Sequence, residues 1–277
     1  TRYGIAVLRY DDRGAGRSTG DFVSSTSADF ADDAGAAIEY LKSRDDINPA
    51  QIGILGHSEG GAIAPLIVLD NPDVAFIISM AGTAVAGRDV LVVQNERILE
   101  VSGIDKDLVS AYVDLVNATY DLIAEGADEA AVRAALTDQF IYIFENEIGG
   151  EAPENPEAAI PEAVDAAYEQ LYNPWFAYFL LYDPGAYWQQ VTVPVLALFG
   201  DLDVQVDVNQ NMPAMQTALE TAGNADVTFI SFPTANHLFQ EADSGSPDEY
   251  GTLEQTFIPD FLPTITDWLL ERVDVVE

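Results

Sequence analysis

The chain has 277 residues, 48% of them hydrophobic, and contains no Cys, which excludes disulfides, thiolate metal sites and a Cys nucleophile. Lys and Arg number 11 against 47 Asp and Glu, and the resulting net charge of −36 disfavours binding to nucleic acids and anionic membranes. No apolar run approaches the roughly 18 residues that span a bilayer, so we expect a soluble protein without membrane insertion, cytoplasmic or exported.

The first apolar run, at residues 4–10, predicts a buried strand that ends in a turn-rich loop at 11–18. We expect Ser27 to cap a helix over residues 28–44, because apolar side chains recur there at spacings of three and four. A second apolar strand at 51–56 leads directly into Ser58, and a helix follows to about residue 69.

Three further strands are predicted at 74–80, 193–199 and 227–232. Strands that alternate with helices predict an α/β fold with a mainly parallel sheet and helices on both faces. The stretch between the third and fourth predicted strands has a helical pattern and indicates an inserted helical cap. The expected organisation is a core formed by residues 1–82 and 191–277, with the cap at 83–190. Within the cap, the acidic, proline-containing segment 151–161 predicts a mobile connection.

The segment from Gly56 to Gly60, with the sequence Gly-His-Ser-Glu-Gly, fits the pattern G-x-S-x-G. In this pattern glycines allow a strained strand-to-helix turn that exposes the Ser hydroxyl. The apolar strand before Ser58 and the small-residue helix after it are the context in which the pattern indicates a nucleophile. The alternative is a glycine-rich turn with a passive Ser.

A Ser nucleophile needs a general base, and the chain has two His residues, His57 and His237. His57 adjoins Ser58 in the sharp turn, so we interpret it as a packed structural residue. His237 follows the last predicted strand, where a parallel sheet presents its carboxyl edge, and it is the predicted base. The acid of a Ser-His-Asp triad is then Asp201 or Asp203, both of which follow the strand at 193–199.

These motifs resemble bacterial α/β-hydrolases of the serine aminopeptidase S33-like group, and within it carboxylesterases of the EstD type. The resemblance rests on the segments 9–18, 56–61, 200–203 and 236–239, together with 174–176 and 182–184 before the fourth predicted strand. It implies an α/β-hydrolase fold, selects Asp203 over Asp201 and assigns Ser58, Asp203 and His237 as the catalytic residues. It also implies a small-molecule ester substrate, an acyl-enzyme intermediate, one oxyanion donor in the backbone N–H of Glu59, and neither cofactor nor metal.

The resemblance further implies that strands and a helix normally precede residue 4, including the loop that supplies the second oxyanion donor. We therefore expect a chain that lacks the N-terminal strands of the family, in which the strand at 4–10 does not pair directly with the strand before Ser58. Such a fragment could lack activity by itself.

Five aromatic residues before the fourth predicted strand could line an acyl pocket or form ordinary cap core: Trp175, Phe176, Phe179, Tyr182 and Trp188. The leading interpretation is a carboxylic-ester hydrolase. An aminopeptidase or amidase of the same fold is an alternative, and so is a non-catalytic ligand-binding or interaction protein on a hydrolase scaffold. The sequence leaves the oligomeric state open.

Overall fold

Four parallel strands form the sheet of the computed structural model, which describes residues 3–274. The strands are β1 (Ile54–His57), β2 (Ile77–Met80), β3 (Val195–Gly200) and β4 (Val227–Phe232), and they lie side by side in chain order. Leu55 pairs with Ile78, and Ile78 pairs with Leu196. Because all four strands point the same way, the loops that follow them meet at one edge of the sheet.

Ten α-helices accompany the strands within residues 3–274. Two of them flank the first strand, α1 (Ser27–Lys42) before it and α2 (Glu59–Asp70) after it. Six lie between β2 and β3, namely α3 (Gly87–Val101), α4 (Lys106–Ala124), α5 (Glu129–Glu145), α6 (Pro156–Leu171), α7 (Pro174–Leu181) and α8 (Gly185–Trp188). The last two are α9 (Val208–Thr221), between β3 and β4, and α10 (Phe261–Leu270), after β4.

Alternate residues of the strands pack into separate cores on the two faces of the sheet. Ile77, Ala197 and Phe199 belong to a core that includes buried residues of α1, α2 and α9. Ile78 and Leu198 belong to a second core with residues of α10. This alternation follows from the two-residue period of a strand, and it confirms the predicted sheet with helices on both faces.

A third core lies among the helices between β2 and β3, which form the predicted cap, and it holds residues from α4, α5, α6 and α7. Its buried side chains are Val116, Tyr120, Val132, Leu136, Val164, Leu171 and Leu180. The apolar face of α4 around Val116 accordingly packs against the neighbouring helices. Arg97 on α3 also ties the cap to the sheet region, because its Nε donates to Asp207 Oδ2 at 2.9 Å, and Asp207 caps α9.

The strand predicted at residues 4–10 is not observed. The segment is irregular and outside the sheet, and Val7 and Tyr10 are 74% and 49% exposed. An apolar run becomes a strand only where a neighbouring strand supplies backbone partners, and within the described sheet β1 pairs with β2 alone. The prediction was right that this run does not lie directly beside β1 in the sheet.

Two helix boundaries also differ from expectation. The first helix is capped by Thr26, whose side chain and that of Asp29 form a capping box, so Ser27 is the first helical residue. The segment 151–161 is partly helical, because Asn155 caps α6 and Pro156 takes its first position. A proline at that position loses no intrahelical hydrogen bond and has a suitable φ, which the composition-based expectation of a mobile connection ignored.

Among residues 3–274, none of the helices combines the length and apolar character that crossing a membrane requires.

Candidate active site

Ser58 lies at the turn between β1 and α2 in a strained backbone conformation. Its φ is 53° and its ψ is −115°, values that non-glycine residues rarely adopt. A hydrogen bond from its N–H to the Met80 carbonyl, at 2.8 Å, fixes the turn against the end of β2. Ser58 is also the N-cap residue of α2, but its side chain makes no capping hydrogen bond, so the hydroxyl is not committed to the helix.

Close backbone contacts explain two of the glycines around this turn. A Cβ at Gly56 would lie 2.2 Å from the Gly60 carbonyl oxygen, and one at Gly61 would lie 2.8 Å from Gly82 Cα. A Cβ at Gly60 would meet no atom within 4 Å. The turn therefore requires Gly56 and Gly61 for steric reasons, whereas Gly60 has open space around its Cα.

Asp203 lies in the loop after β3 and is almost completely buried. Its Oδ1 accepts hydrogen bonds from the N–H groups of Gln205 and Val206, at 2.8 and 2.9 Å. Its Oδ2 lies 2.8 Å from His237 Nδ1. Asp201 is exposed and has no such contact. Of the two acids considered from the sequence, the structure brings Asp203 to the histidine.

His237 is 5% exposed and sits in the loop after β4. The buried Asn236 holds this loop, because its Oδ1 accepts from the N–H groups of Leu238 and Gln240, at 2.9 and 3.0 Å. The next constraint is Phe239, which is fully buried despite a φ of 57° and stacks on Phe261 at 4.3 Å between ring centroids. A strained residue held in a packed core fixes the backbone on the far side of His237.

His57, the last residue of β1, contacts the same loop. Its Nε2 lies 2.8 Å from the main-chain oxygen of His237, and the two imidazole centroids are 4.7 Å apart. Burial lowers the pKa of His57 below its ordinary value, and the neighbouring His237 acts in the same direction. The loop after β4, which carries the predicted base, is thus hydrogen-bonded to the residue adjacent to Ser58.

Among the described residues, no hydrogen bond joins Ser58 Oγ to His237, and Nε2 of His237 has no hydrogen-bond partner. The other ring nitrogen of His237, Nδ1, is hydrogen-bonded to Asp203 Oδ2. An imidazole held at Nδ1 by a carboxylate can accept a proton at Nε2, which is the role of a general base. Catalytic hydrogen bonds are often formed only with substrate present, so the open nitrogen is compatible with that role.

Glu59 begins α2, and its backbone N–H is one of the donors that a helix N-terminus leaves without an intrahelical partner. This is the group expected to bind an oxyanion. The side chain has a separate function, since its Oε1 accepts from Ser27 Oγ at 2.6 Å and from Trp175 Nε1 at 2.8 Å. Glu59 therefore connects α1, the start of α2 and cap helix α7.

The five aromatic residues proposed for a pocket lie in different environments. Trp175 and Phe179 stack at 5.5 Å beside Glu59, and Phe176 lines a cavity of about 320 Å³ within the cap. Tyr182 and Trp188 instead pack in the core of the sheet, where their polar atoms donate to main-chain oxygens of residues 62 and 83. Tyr182 and Trp188 are therefore structural, because they are buried in the sheet core. The sequence alone could not show whether they pack in the sheet core or in the cap.

Sequence reasoning missed three features of the site: the Asn236 scaffold, the strained Phe239 and the Glu59–Trp175 bond. Asn236 directly precedes the predicted base, and Asn favours local backbone hydrogen bonds, which is a signal that could have been used. The other two depend on contacts between segments distant in sequence. Within residues 3–274, no group of three or more His, Asp or Glu residues is arranged to hold a metal ion.

The chain is similar in part to known proteins. Residues 1–125 match a family model described as serine aminopeptidase, S33. Uncharacterized proteins from two strains of Mycobacterium tuberculosis are 34% identical to the chain over 83 residues, or 30% of its length. The matched segment spans 28% of the length of those relatives.

The chain is also similar to solved structures, at low sequence identity. An α/β-hydrolase from a Penicillium species is 14% identical, with a TM-score of 0.50, covering 95% of this chain and 78% of its own. An esterase from Exiguobacterium antarcticum is 17% identical, with a TM-score of 0.45 and coverages of 93% and 78%. An esterase from Pyrococcus furiosus is 13% identical, with a TM-score of 0.48 and coverages of 94% and 68%. At 14% identity, the likeness to the Penicillium protein concerns the fold alone.

Proposed function

We propose that this chain, an α/β-hydrolase by its fold, belongs to an enzyme that hydrolyses carboxylic esters through Ser58, His237 and Asp203. The observation that carries the proposal is the buried hydrogen bond between Asp203 and His237 Nδ1, in a loop bonded to the residue beside the strained Ser58. Both side chains of this Asp–His pair are buried, in contrast to a solvated ion pair on the surface. The combination supplies a nucleophile, a base and a group that orients the base.

The reaction has two acyl-transfer steps. Ser58 Oγ attacks the ester carbonyl carbon while His237 Nε2 takes its proton, and the intermediate collapses with transfer of that proton to the departing alcohol. Water then attacks the acyl-enzyme, again giving its proton to His237, and the acid is released as Ser58 recovers its hydrogen. Asp203 stays ionised and stabilises the imidazolium in both steps. The Glu59 N–H stabilises the negative charge on the carbonyl oxygen.

The decisive experiment uses the full-length protein and p-nitrophenyl esters. Ser58→Ala should reduce turnover by several orders of magnitude and leave the circular dichroism spectrum unchanged. A fluorophosphonate probe should label the wild-type protein and not the variant. Undiminished turnover in Ser58→Ala would refute the proposal.

A peptidase activity is the second candidate, favoured by the description of the family model as serine aminopeptidase. Amide cleavage uses the same nucleophile and base but needs protonation of a poorer leaving group and a site for the substrate ammonium. Assays with amino-acid arylamides beside p-nitrophenyl esters distinguish the two activities. Absence of both activities and of probe labelling would instead favour a binding protein on a hydrolase scaffold.

A further inference from the structure

His57 makes a hydrogen bond that simple packing does not require. A main-chain carbonyl can only accept, so the contact with the His237 oxygen at 2.8 Å places a proton on His57 Nε2. Burial lowers the pKa of His57 and favours the neutral ring, whose Nδ1 then carries the lone pair. The side chain next to the nucleophile thus donates to the backbone of the predicted base, 180 positions along the chain.

Among the described residues, this contact is the hydrogen bond that directly joins β1 to the loop after β4. The ring faces His237, with centroids 4.7 Å apart, and the apolar ring of Phe239 at 6.4 Å. The charge of Asp203 acts on His57 more weakly than burial and His237 do.

We propose that His57 is a positioning residue, which fixes the distance between the nucleophile and the base by holding the main chain of His237. This inference rests on the proposed catalytic roles of Ser58 and His237. Asp203 holds the imidazole at Nδ1, and Asn236 and Phe239 hold the loop internally, but none of these contacts ties the loop to the turn that carries Ser58. The bond from His57 supplies that connection. Because His57 and Ser58 are consecutive, this anchor ties the base to the turn that carries the nucleophile.

The effect on rate follows from the sensitivity of proton transfer to geometry. A displacement of about 1 Å in a catalytic group can cost on the order of a hundredfold in rate. Loss of the His57 anchor should therefore act on kcat, since it changes the reacting groups and removes no contact to the substrate. The value of KM should change little.

A matched pair of variants of the full-length protein tests this inference. His57→Gln keeps an N–H donor at a similar reach, whereas His57→Met has a similar length and no donor. With p-nitrophenyl butyrate, we expect Met to lower kcat by about tenfold to a hundredfold and Gln to retain it within about threefold. Equal kcat values for the two variants, at comparable melting temperatures, would overturn the inference.

Nuclear magnetic resonance supplies a readout that does not depend on turnover. The chain has two His residues, so the ring N–H signals of His57 and His237 can be assigned by substitution. We expect an Nδ1–H signal from His237 that persists in His57→Gln and is broadened by solvent exchange in His57→Met. If the wild-type protein lacks esterase activity but the two variants differ in this signal, the proposed function is refuted and the anchor is supported. An identical signal in both variants would refute the anchor itself.

Discussion

Replacing Asp203 with Asn should nearly abolish ester hydrolysis while leaving the fold in place. Asp203 Oδ2 now accepts the proton on His237 Nδ1, and an Asn in the same position turns an NH₂ group toward that nitrogen. Nδ1 must then accept, so the proton moves to Nε2, which can no longer take one from Ser58. Interference of this kind costs about 10⁴-fold in kcat, or about 5 kcal/mol of transition-state stabilisation.

The stability cost of the same change should be much smaller. The Asn carbonyl oxygen can keep the two backbone bonds from Gln205 and Val206, which Asp203 Oδ1 accepts at 2.8 and 2.9 Å. The loss is then the charge on those bonds and on the bond to His237, about 1 to 3 kcal/mol of unfolding free energy. Urea denaturation of both proteins measures it.

Asp201→Asn is the matched control, because Asp201 lies two residues away in the same loop and is exposed. It should change unfolding free energy by no more than about 0.5 kcal/mol and kcat by less than about threefold. Equal losses of kcat in the two variants, or a larger loss for Asp201→Asn, would show that Asp203 does not orient His237.

Three further results are expected. Gly61→Ala should lose about 1 to 3 kcal/mol of unfolding free energy, because its Cβ would lie 2.8 Å from Gly82 Cα. Gly60→Ala should lose none, because its Cβ would meet no atom within 4 Å, and equal losses in urea denaturation would contradict the steric argument. Because burial lowers the pKa of His57, the unfolded chain takes up its proton first, so unfolding free energy should fall as pH drops below 6.5, and His57→Gln should remove this component from a pH titration. At a net charge of −36, screening should raise the melting temperature between about 0.1 M and about 2 M NaCl, and a flat or falling curve refutes the repulsion argument.

The sequence predicted the alternation of strands and helices well, because a parallel strand that is buried on both faces has a continuous apolar sequence. The strand at 227–232 was placed at the observed bounds of β4, and the run before Ser58 was placed within a few residues of β1. The same rule failed at residues 4–10. An apolar run states a preference for burial, but the partner that would bury it is a property of the whole sheet.

The candidate nucleophile and base could be identified from the sequence, because the chain has only two His residues. Two segments fit G-x-S-x-G, at 16–20 and 56–60, but only the second lies between a strand and a helix. What could not be derived was the network that holds them. The bond from His57 to His237 joins positions 180 apart, and the bond from Trp175 to Glu59 joins positions 116 apart. No local pattern encodes such contacts. His57 therefore looked like a packing residue, and for Trp175 the sequence left a pocket position and ordinary cap core as alternatives.

The order of the strands explains why the loop after β4 needs so many constraints. Adjacent strands are about 4.8 Å apart, so β1 and β4, which are separated by β2 and β3, lie about 14 Å apart at the sheet edge. His237 must nevertheless come within hydrogen-bond distance of β1, and its main-chain oxygen does reach His57 at 2.8 Å. The loop therefore crosses the carboxyl ends of β3 and β2, where short polar contacts replace the strand pairing that would otherwise fix it. Asp203 bonds it where it passes β3, Asn236 folds it internally, and His57 stops it at β1. Under the proposed mechanism, removing one of these anchors should leave the fold in place and disturb the alignment that proton transfer requires.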